Sequence, residues 1–465
     1  MNLVLITVDC LRADHLSCLG YPKVTTPNLD SLAGKGAVFT QAISVSIRTQ
    51  PSFKALFTST YPLTDRGQLR LADSTTTVAQ VLRDRRYRTA AFHSNAWLSP
   101  YFGYDKGFDH FFDVSGYGRS GKATRRWASF ADRLPSRRAA AAVGRLHKLA
   151  TRQYPYWRSL VTSPHTAAEE LNREILSWIE ADRRGFYLWV HYMDVHEPYL
   201  GPFRLLGLYA RWRALVLNHR ARYNPERVSA KEIQWLVSLY DSRIAYVDRE
   251  IGRLLRALEQ QGVLDDTCII VTSDHGQQLL EHGYYGHSGF HPWEELVRVP
   301  LIIAGPGVTH RVIDEQVSMI DLAPTILALL DAPKPAAFRG RSLRPLMAGE
   351  SNGAGDPEAF TEVDSAVGAT ETSDLAVHSR LDLGRMVVSL RTGGRKYVYI
   401  QDSRDEMYDL VNDPKETRNV IDSQPEVSAE FRARIAAHIE GVTRSSGEAA
   451  RLKARVQKLR TNREA

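Results

Sequence analysis

Asn2-Leu-Val-Leu-Ile-Thr-Val-Asp-Cys10 decides the fold class. Leu3–Val8 is a continuous apolar run with no polar alternation. Such a strand is covered on both faces, as strands of a parallel sheet are. It runs straight into an acid. A carboxylate at the end of an apolar strand is costly unless it is solvated, paired or bound to a metal. In open α/β sheets the carboxyl ends of the strands converge on the ligand crevice. Asp9 is therefore a candidate metal ligand, with a helix or turn cap as the plain alternative. Cys10 is either a second ligand or a small apolar filler.

The same grammar continues along the chain. Pro27–Ala33 reads as a short helix with Thr26 as N-cap and Pro27 in its first position. Thr76–Arg86 is amphipathic, and Thr89–His93 reads as a strand. Phe186–Val190 is another buried strand. Ala230–Gln261 is a long charge-rich helix, Cys268–Thr272 and Leu301–Ala304 are strands, and Asp321–Leu330 is helical. This alternation predicts an α/β fold, a mostly parallel sheet with helices on both faces. The tail differs. Met386–Arg391 and Lys396–Ile400 read as two strands joined by Thr392-Gly-Gly-Arg395, a hairpin signal, and a helical segment runs from about Pro425 to the end. The Gly/Asp/Ser-rich stretch Gly349–Asp356 reads as the boundary between a large α/β domain, 1–350, and a small α+β C-terminal subdomain, 351–465. Between Arg119 and Arg158 lie eleven Lys/Arg and one acid, Asp132. This marks a basic helical insertion at about 116–165, either a solvated surface element or a lid facing an anion.

Composition narrows the class. Of 465 residues, 43% are hydrophobic and 24% charged, which fits a globular chain with a sizeable core and excludes disorder. No apolar run approaches the ~18–20 residues of a spanning helix, so no integral membrane segment is expected. The net charge of +7 is modest for this length. It suits a small anionic substrate, and no nucleic-acid recognition motif accompanies it. Three cysteines, Cys10, Cys18 and Cys268, make no disulfide framework. The chain enters a strand at once, with no basic stretch leading into an apolar one and a cleavage site. It reads as cytoplasmic, although a chain whose leader had been removed would look similar.

Three more clusters carry chemistry. Val271-Thr-Ser-Asp-His-Gly276 is again a strand running into an acid. Asp274 and His275 supply one oxygen and one imidazole, a pairing that suits Zn²⁺, Mn²⁺ or Fe²⁺ better than Ca²⁺, and Gly276 permits a tight turn after them. In Thr49-Gln-Pro-Ser-Phe-Lys-Ala-Leu-Phe-Thr58 a helix is predicted over Pro51–Phe57. Thr49 then sits at or just before its N-terminus, where free amides and the helix dipole stabilise an alkoxide. A simple N-cap is the plain reading of Thr49. Phe186-Tyr-Leu-Trp-Val-His-Tyr-Met-Asp-Val-His-Glu-Pro-Tyr199 ends in Asp194 and His196, and Glu281-His-Gly-Tyr-Tyr-Gly-His-Ser288 is a glycine-punctuated loop. His191, His196, His282, His287 and His291 all fall at strand ends or loops, which points to a catalytic or metal role for at least one.

In this order the motifs resemble the sulfatase family of the alkaline phosphatase superfamily. Leu5–Leu16 looks like its opening strand and metal motif, and Thr25–Ala33 like the segment after it. Thr49–Thr58 with Tyr61-Pro62 is similar to its nucleophile signature. His191–Tyr199 resembles the strand bearing a catalytic histidine. Thr272–Gly276, Glu281–Gly283 and Glu294–Leu301 resemble the second metal motif. Lys396–Ile400 and Glu406–Asn419 look like the C-terminal subdomain. The resemblance implies an alkaline-phosphatase-like fold and a hydrolase of ester bonds. It further implies a divalent metal (Mn, Zn, Mg or Ca) on Asp9, Cys10, Asp274 and His275, with Thr49, His196 and His287 as catalytic residues.

The departures from the family pattern direct the chemistry. The family oxidises a Cys or Ser to formylglycine, and here that position is Thr49, whose oxidation would give a ketone. The arginine of the signature is Phe53, with Lys54 beside it. Cys10 stands where the family has a second Asp, and His275 where many sulfatases have Asn. Formylglycine hydrate expels sulfate by C–O cleavage. A threonine ester must instead be broken by water attacking sulfur or phosphorus, which for phosphorus is feasible with metal assistance. The expectation is a metal-dependent hydrolase of a phosphate diester or phosphonate monoester with Thr49 as nucleophile. Arg48 and Lys54 are the cations nearest to it in sequence. A second metal is expected if Asp194, His196 and His287 converge. The alternatives are a sulfatase working without formylglycine, a phospho-group transferase, and a non-catalytic binding protein.

Overall fold

The computed structural model describes residues 1–65, 70–113, 168–183, 185–200, 207–287, 289–350, 357–364 and 385–443. The basic segment Arg119–Arg158 and most of the Gly349–Asp356 boundary lie outside the described residues.

A nine-stranded sheet carries the site. Its order is Arg311–Ile313, Ala37–Ile43, Arg298–Ala304, Thr267–Thr272, Asn2–Val8, Phe186–Tyr192, Arg88–His93, His110–Asp113, with Val317–Ser318 also paired to Ala37–Ile43. Arg298–Ala304 runs antiparallel to both of its neighbours. The other pairings in this sheet are parallel. The sheet is mostly parallel, as the apolar strands predicted.

The first strand shows why it lacks alternation. Val4, Ile6 and Val8 point into one core, with Leu171 and Ile175 of the helix Ala168–Ala181 and Leu236, Ile244 and Ile251 of the helix Ala230–Gln260. Leu3 and Leu5 point into the opposite core, with Phe53 and Phe57 of the helix Thr49–Thr58 and Leu322, Ile326 and Leu327 of the helix Leu322–Leu329. Both faces are covered, so both sets of side chains must be apolar. Each such side chain taken out of water contributes on the order of 2 kcal/mol.

The second sheet is antiparallel throughout, in the order Ala359–Asp364, Met386–Thr392, Arg395–Ile400, Glu406–Asp409. Gly393 and Gly394 form its predicted hairpin turn with φ of 57° and 70°. Two successive residues at positive φ match the strand twist and favour glycine. One face of this sheet packs on Phe431, Ile435 and Ile439 of the helix Pro425–Thr443. The other meets Ile43, Ile47, Leu296 and Val297 beside the main sheet.

Several local expectations shift. The helix predicted over Pro51–Phe57 spans Thr49–Thr58. Pro51 is accommodated because first-turn residues need no amide for an intrahelical bond. Thr26 precedes the helix Pro27–Ala33 but its side chain makes no cap bond. Its Oγ1 instead donates to Asp30 Oδ1 at 3.0 Å. Thr77 does cap the helix Val78–Asp84, through a capping box with Gln80.

Candidate active site and metal centre

Adjacent parallel strands bring the acids together. Thr7 stands opposite Thr272 in the pairing of Asn2–Val8 with Thr267–Thr272. Asp9 and Asp274, each two residues further on, therefore leave the sheet side by side. Ser273 holds the two strand ends: its Oγ donates to Val8 O at 2.7 Å and accepts from Leu11 N at 3.0 Å. Asp9 N donates to Tyr192 O at 2.9 Å, tying in the third strand end.

Asp9 is fully buried, and each of its oxygens has a neighbour. Cys10 Sγ lies 2.9 Å from Oδ1. His191 Nε2 at 3.1 Å and Asn95 Nδ2 at 3.3 Å face Oδ2. Burial disfavours the charged form. The hydrogen bond from His191, with the imidazoles of His196 and His275, overrides it and holds Asp9 well below the usual carboxylate range. Asp274 moves the other way: burial and the charge of Asp9 push it up. Cys10 has φ 62°, a left-handed conformation costing roughly 1–2 kcal/mol for a residue with a Cβ. Tyr240 Oη braces it by donating to Cys10 O at 2.7 Å. Burial and the carboxylate of Asp9 raise the Cys10 thiol well above its ordinary value.

The Asp274–His275 pair leaves room for a cation. His275 Nδ1 lies 2.9 Å from Gly276 O. A carbonyl only accepts, so the ring proton sits on Nδ1 and the lone pair is on Nε2. Nε2 faces Thr49 Oγ1 at 3.4 Å and Asp274 Oδ2 at 3.4 Å. Asp274 Oδ2 is buried without a hydrogen-bond donor. Two electron pairs converge there with no proton between them. The donor atoms of Asp9, Cys10 and His275 lie within 4.8 Å of one another, as do those of Asp9, His191 and Asp274. The chemistry and spacing of these donors fit a divalent metal.

Gly276 does something other than the turn expected of it. It is absent from the positive-φ residues. A Cβ there would fall 2.0 Å from Glu295 O, so the glycine allows a close backbone approach. The backbone bonds Gly276 N to Leu296 O, 2.7 Å, and Gln277 N to Glu295 O, 3.0 Å, fix that approach.

Thr49 is the first residue of its helix, after Arg48 in extended conformation, and is 9% exposed. Phe53 packs edge-on against His191, ring centroids 4.8 Å apart, behind Asp9. Lys54 is buried, and that burial, partly offset by Glu362, lowers it to about 8. The Arg48 guanidinium lies 5.4 Å from the centre of the Phe290 ring.

The histidines sort into three groups. His196 and His287 meet, Nε2 to Nε2 at 3.2 Å, and His287 stacks obliquely on His275, centroids 4.5 Å apart. Burial and the neighbouring His275 depress His287 well below its ordinary value. Burial also opposes charge on His196, but Glu197 and Asp9 win and raise it. His191 braces Asp9. His282 and His291 both stack on Trp293, with centroids 3.7 and 3.6 Å away, and His291 bonds Glu406 at 2.7 Å. They support the join to the second sheet.

Asp194 does not converge with His196 and His287. Its carboxylate accepts from Arg243 Nη2 at 2.7 Å and Ala168 N at 3.0 Å, and burial raises it to about 6 despite the guanidinium. Its place beside the two histidines is taken by Glu197, which sequence reasoning left unassigned. Asn95 was missed as well. It follows the strand Arg88–His93, and a polar residue just past an apolar strand was the signal that could have found it.

The sulfatase family model matches residues 1–332, and the chain belongs to that family. It is an ester-hydrolysing enzyme. It is 26% identical over 466 residues to the uncharacterized sulfatase YidJ of Escherichia coli (strain K12), spanning 90% of this chain and 83% of that protein. It is 27% identical over 384 residues to Homo sapiens arylsulfatase A, spanning 75% and 68%. The phosphonate monoester hydrolase of Agrobacterium radiobacter shares the fold with a TM-score of 0.72 at 22% identity, over 94% of this chain and 95% of that one. A 2-O GAG sulfatase does so with a TM-score of 0.67 at 16% identity, over 95% and 92%. Among the described residues no helix is long and apolar enough to cross a membrane.

Proposed function

We propose that this enzyme hydrolyses a phosphate diester or phosphonate monoester with Thr49 as nucleophile. In this reading Asp9, Asp274 and His275, with Cys10, hold a divalent metal, and His196 and His287 serve the leaving oxygen and the attacking water. The observation that carries it is Thr49 Oγ1, a hydroxyl that cannot become an aldehyde, set 3.4 Å from the lone pair of His275 Nε2. A bound divalent cation supplies positive charge beside the hydroxyl and the ester oxygens.

The chain's own groups do the rest. The open first turn of the helix Thr49–Thr58 faces charge that develops on Thr49 Oγ1 or on the bound anion. His191 and Asn95 keep the Asp9 carboxylate ionised and oriented. His196, with its charge favoured by Glu197, is the donor for the leaving oxygen, while His287, held neutral, is suited to accept a proton from water. A covalent threonine ester then needs a second in-line attack, which phosphorus permits.

A second reading keeps the same residues but acts on sulfate esters. The names of the relatives, an arylsulfatase among them, favour it. Metal-loaded wild type and Thr49→Ala, assayed in parallel on aryl sulfate, aryl phosphate, a phosphate diester and a phosphonate monoester, separate the two. Phosphorus-ester turnover lost in Thr49→Ala supports the first reading. Thr49-dependent turnover of sulfate alone replaces it with the second.

A further inference from the structure

The helix Leu208–Tyr223 carries four arginines and no acid, and it is apolar on two faces. Ala214, Leu215, Leu217 and Ala221 on its inner face belong to the core. Asn218 fixes its rotation: Oδ1 accepts from Tyr199 N at 2.8 Å and Nδ2 donates to Tyr199 O at 3.1 Å. The opposite face is exposed at Tyr209, Trp212, Arg213, Val216 and His219. Steps of three and four residues make these one stripe along the helix. Tyr209 is 71% exposed, Trp212 47% and Val216 36%. The two rings lie against each other, centroids 6.0 Å apart, and the Arg213 guanidinium stands 5.3 Å from the centre of the Trp235 ring. Exposed aromatic surface rimmed by cations marks an interaction face.

We propose that this face docks the enzyme on an anionic lipid surface. Its apolar groups protrude from a convex helix, which suits insertion among headgroups and offers no groove to enclose a peptide or a base. Tyr and Trp rings, apolar with one polar edge, settle at the membrane–water interface. The arginines meet the negative charge of the lipid. Charge also sets aside two other occupants. The segment Arg119–Arg158 is itself basic, and a second copy of the helix would bring like charges together. Glu232, paired with Arg220 Nη1 at 2.9 Å, lies at the far end of the stripe, about three turns from Tyr209. The same helix carries Arg222, whose Nη1 is 3.0 Å from Glu197 Oε1, next to His196. The docking face and the candidate site therefore share one rigid element, about 20 Å apart along its axis.

The test is cosedimentation of the full chain with phosphatidylglycerol–phosphatidylcholine vesicles, against pure phosphatidylcholine vesicles and a single-stranded oligonucleotide. Wild type is expected to bind the anionic vesicles roughly tenfold or more tightly than the neutral ones, and to be released by salt. The double variant Tyr209→Ser, Trp212→Ser and the single variant Arg213→Glu are each expected to weaken that binding roughly tenfold or more, with an unchanged circular dichroism spectrum. Wild type and variants that bind anionic vesicles equally overturn the proposal and move the lipid contact to other cations, such as those of Arg119–Arg158. It is overturned too if wild type binds neither vesicle, if it binds the oligonucleotide in their place, or if the face instead holds a dimer that Trp212→Ser dissolves.

Discussion

Thr49 Oγ1 lies 3.4 Å from His275 Nε2, although 226 residues separate them in the chain. The contact joins a helix start to a strand end, and the nucleophile proposal depends on it. Thr49→Ala should lower kcat on the best ester by on the order of 10³-fold or more. Thr49→Ser keeps a hydroxyl in place and should stay within about tenfold. Steady-state kinetics on the four ester classes would check both, and an unaffected Thr49→Ala would remove Thr49 from the mechanism.

Asp274 Oδ2 is buried without a donor, so a metal is the partner its environment asks for. Chelation should lower both activity and the melting temperature, and re-addition of metal should restore them. The stabilisation follows mass action, about 2.7 kcal/mol at a hundredfold excess of metal over Kd. Thermal shift against metal concentration measures it. A melting temperature indifferent to chelator and metal would contradict the site.

Gly276→Ala tests the close approach at Glu295 O. A Cβ 2.0 Å from that oxygen must displace backbone that carries Asp274 and His275. The expected cost is roughly 2 kcal/mol or more, with activity falling further than stability. Denaturant unfolding and kcat/KM on the same preparation would show it. A variant that is as stable and active as wild type would refute the steric argument.

His93 gives a pH prediction away from the ester chemistry. It is fully buried, stacked on Trp189 at 5.3 Å, and accepts from Asn95 N at 3.3 Å. Burial, and to a lesser degree His191, lower it to about 3 from an ordinary 6.5. Its folded value is depressed, so its stabilising contribution is present above pH 6.5 and is lost as pH falls towards 3. Between pH 7 and pH 4 that amounts to about 3 kcal/mol. His93→Phe should keep the stacking and lose less stability over that interval than wild type. Urea midpoints at the two pH values would decide, and equal losses would show that His93 does not drive the acid response.

The fold class was legible because a strand covered on both faces has no freedom to alternate, and Leu3–Val8 and Cys268–Thr272 do not. The paired glycines at 393 and 394 fixed a hairpin for an equally local reason. The antiparallel course of Arg298–Ala304 was hidden, because strand direction belongs to the pairing and leaves no mark on one strand's residues.

At the site the same division holds. The sequence by itself singled out Asp9, Thr49, Asp274, His275, His196 and His287, since each sits at the end of a strand, in a loop or at the start of a helix, where residue type alone carries meaning. Tertiary structure decided the company they keep. It set Asp194 against Arg243, put Glu197 beside His196, placed His191 and Asn95 on Asp9, and sent His282 and His291 to Trp293. Those assignments turn on distances of a few ångströms between segments far apart in the chain, and one residue's offset along a strand changes the face it points to.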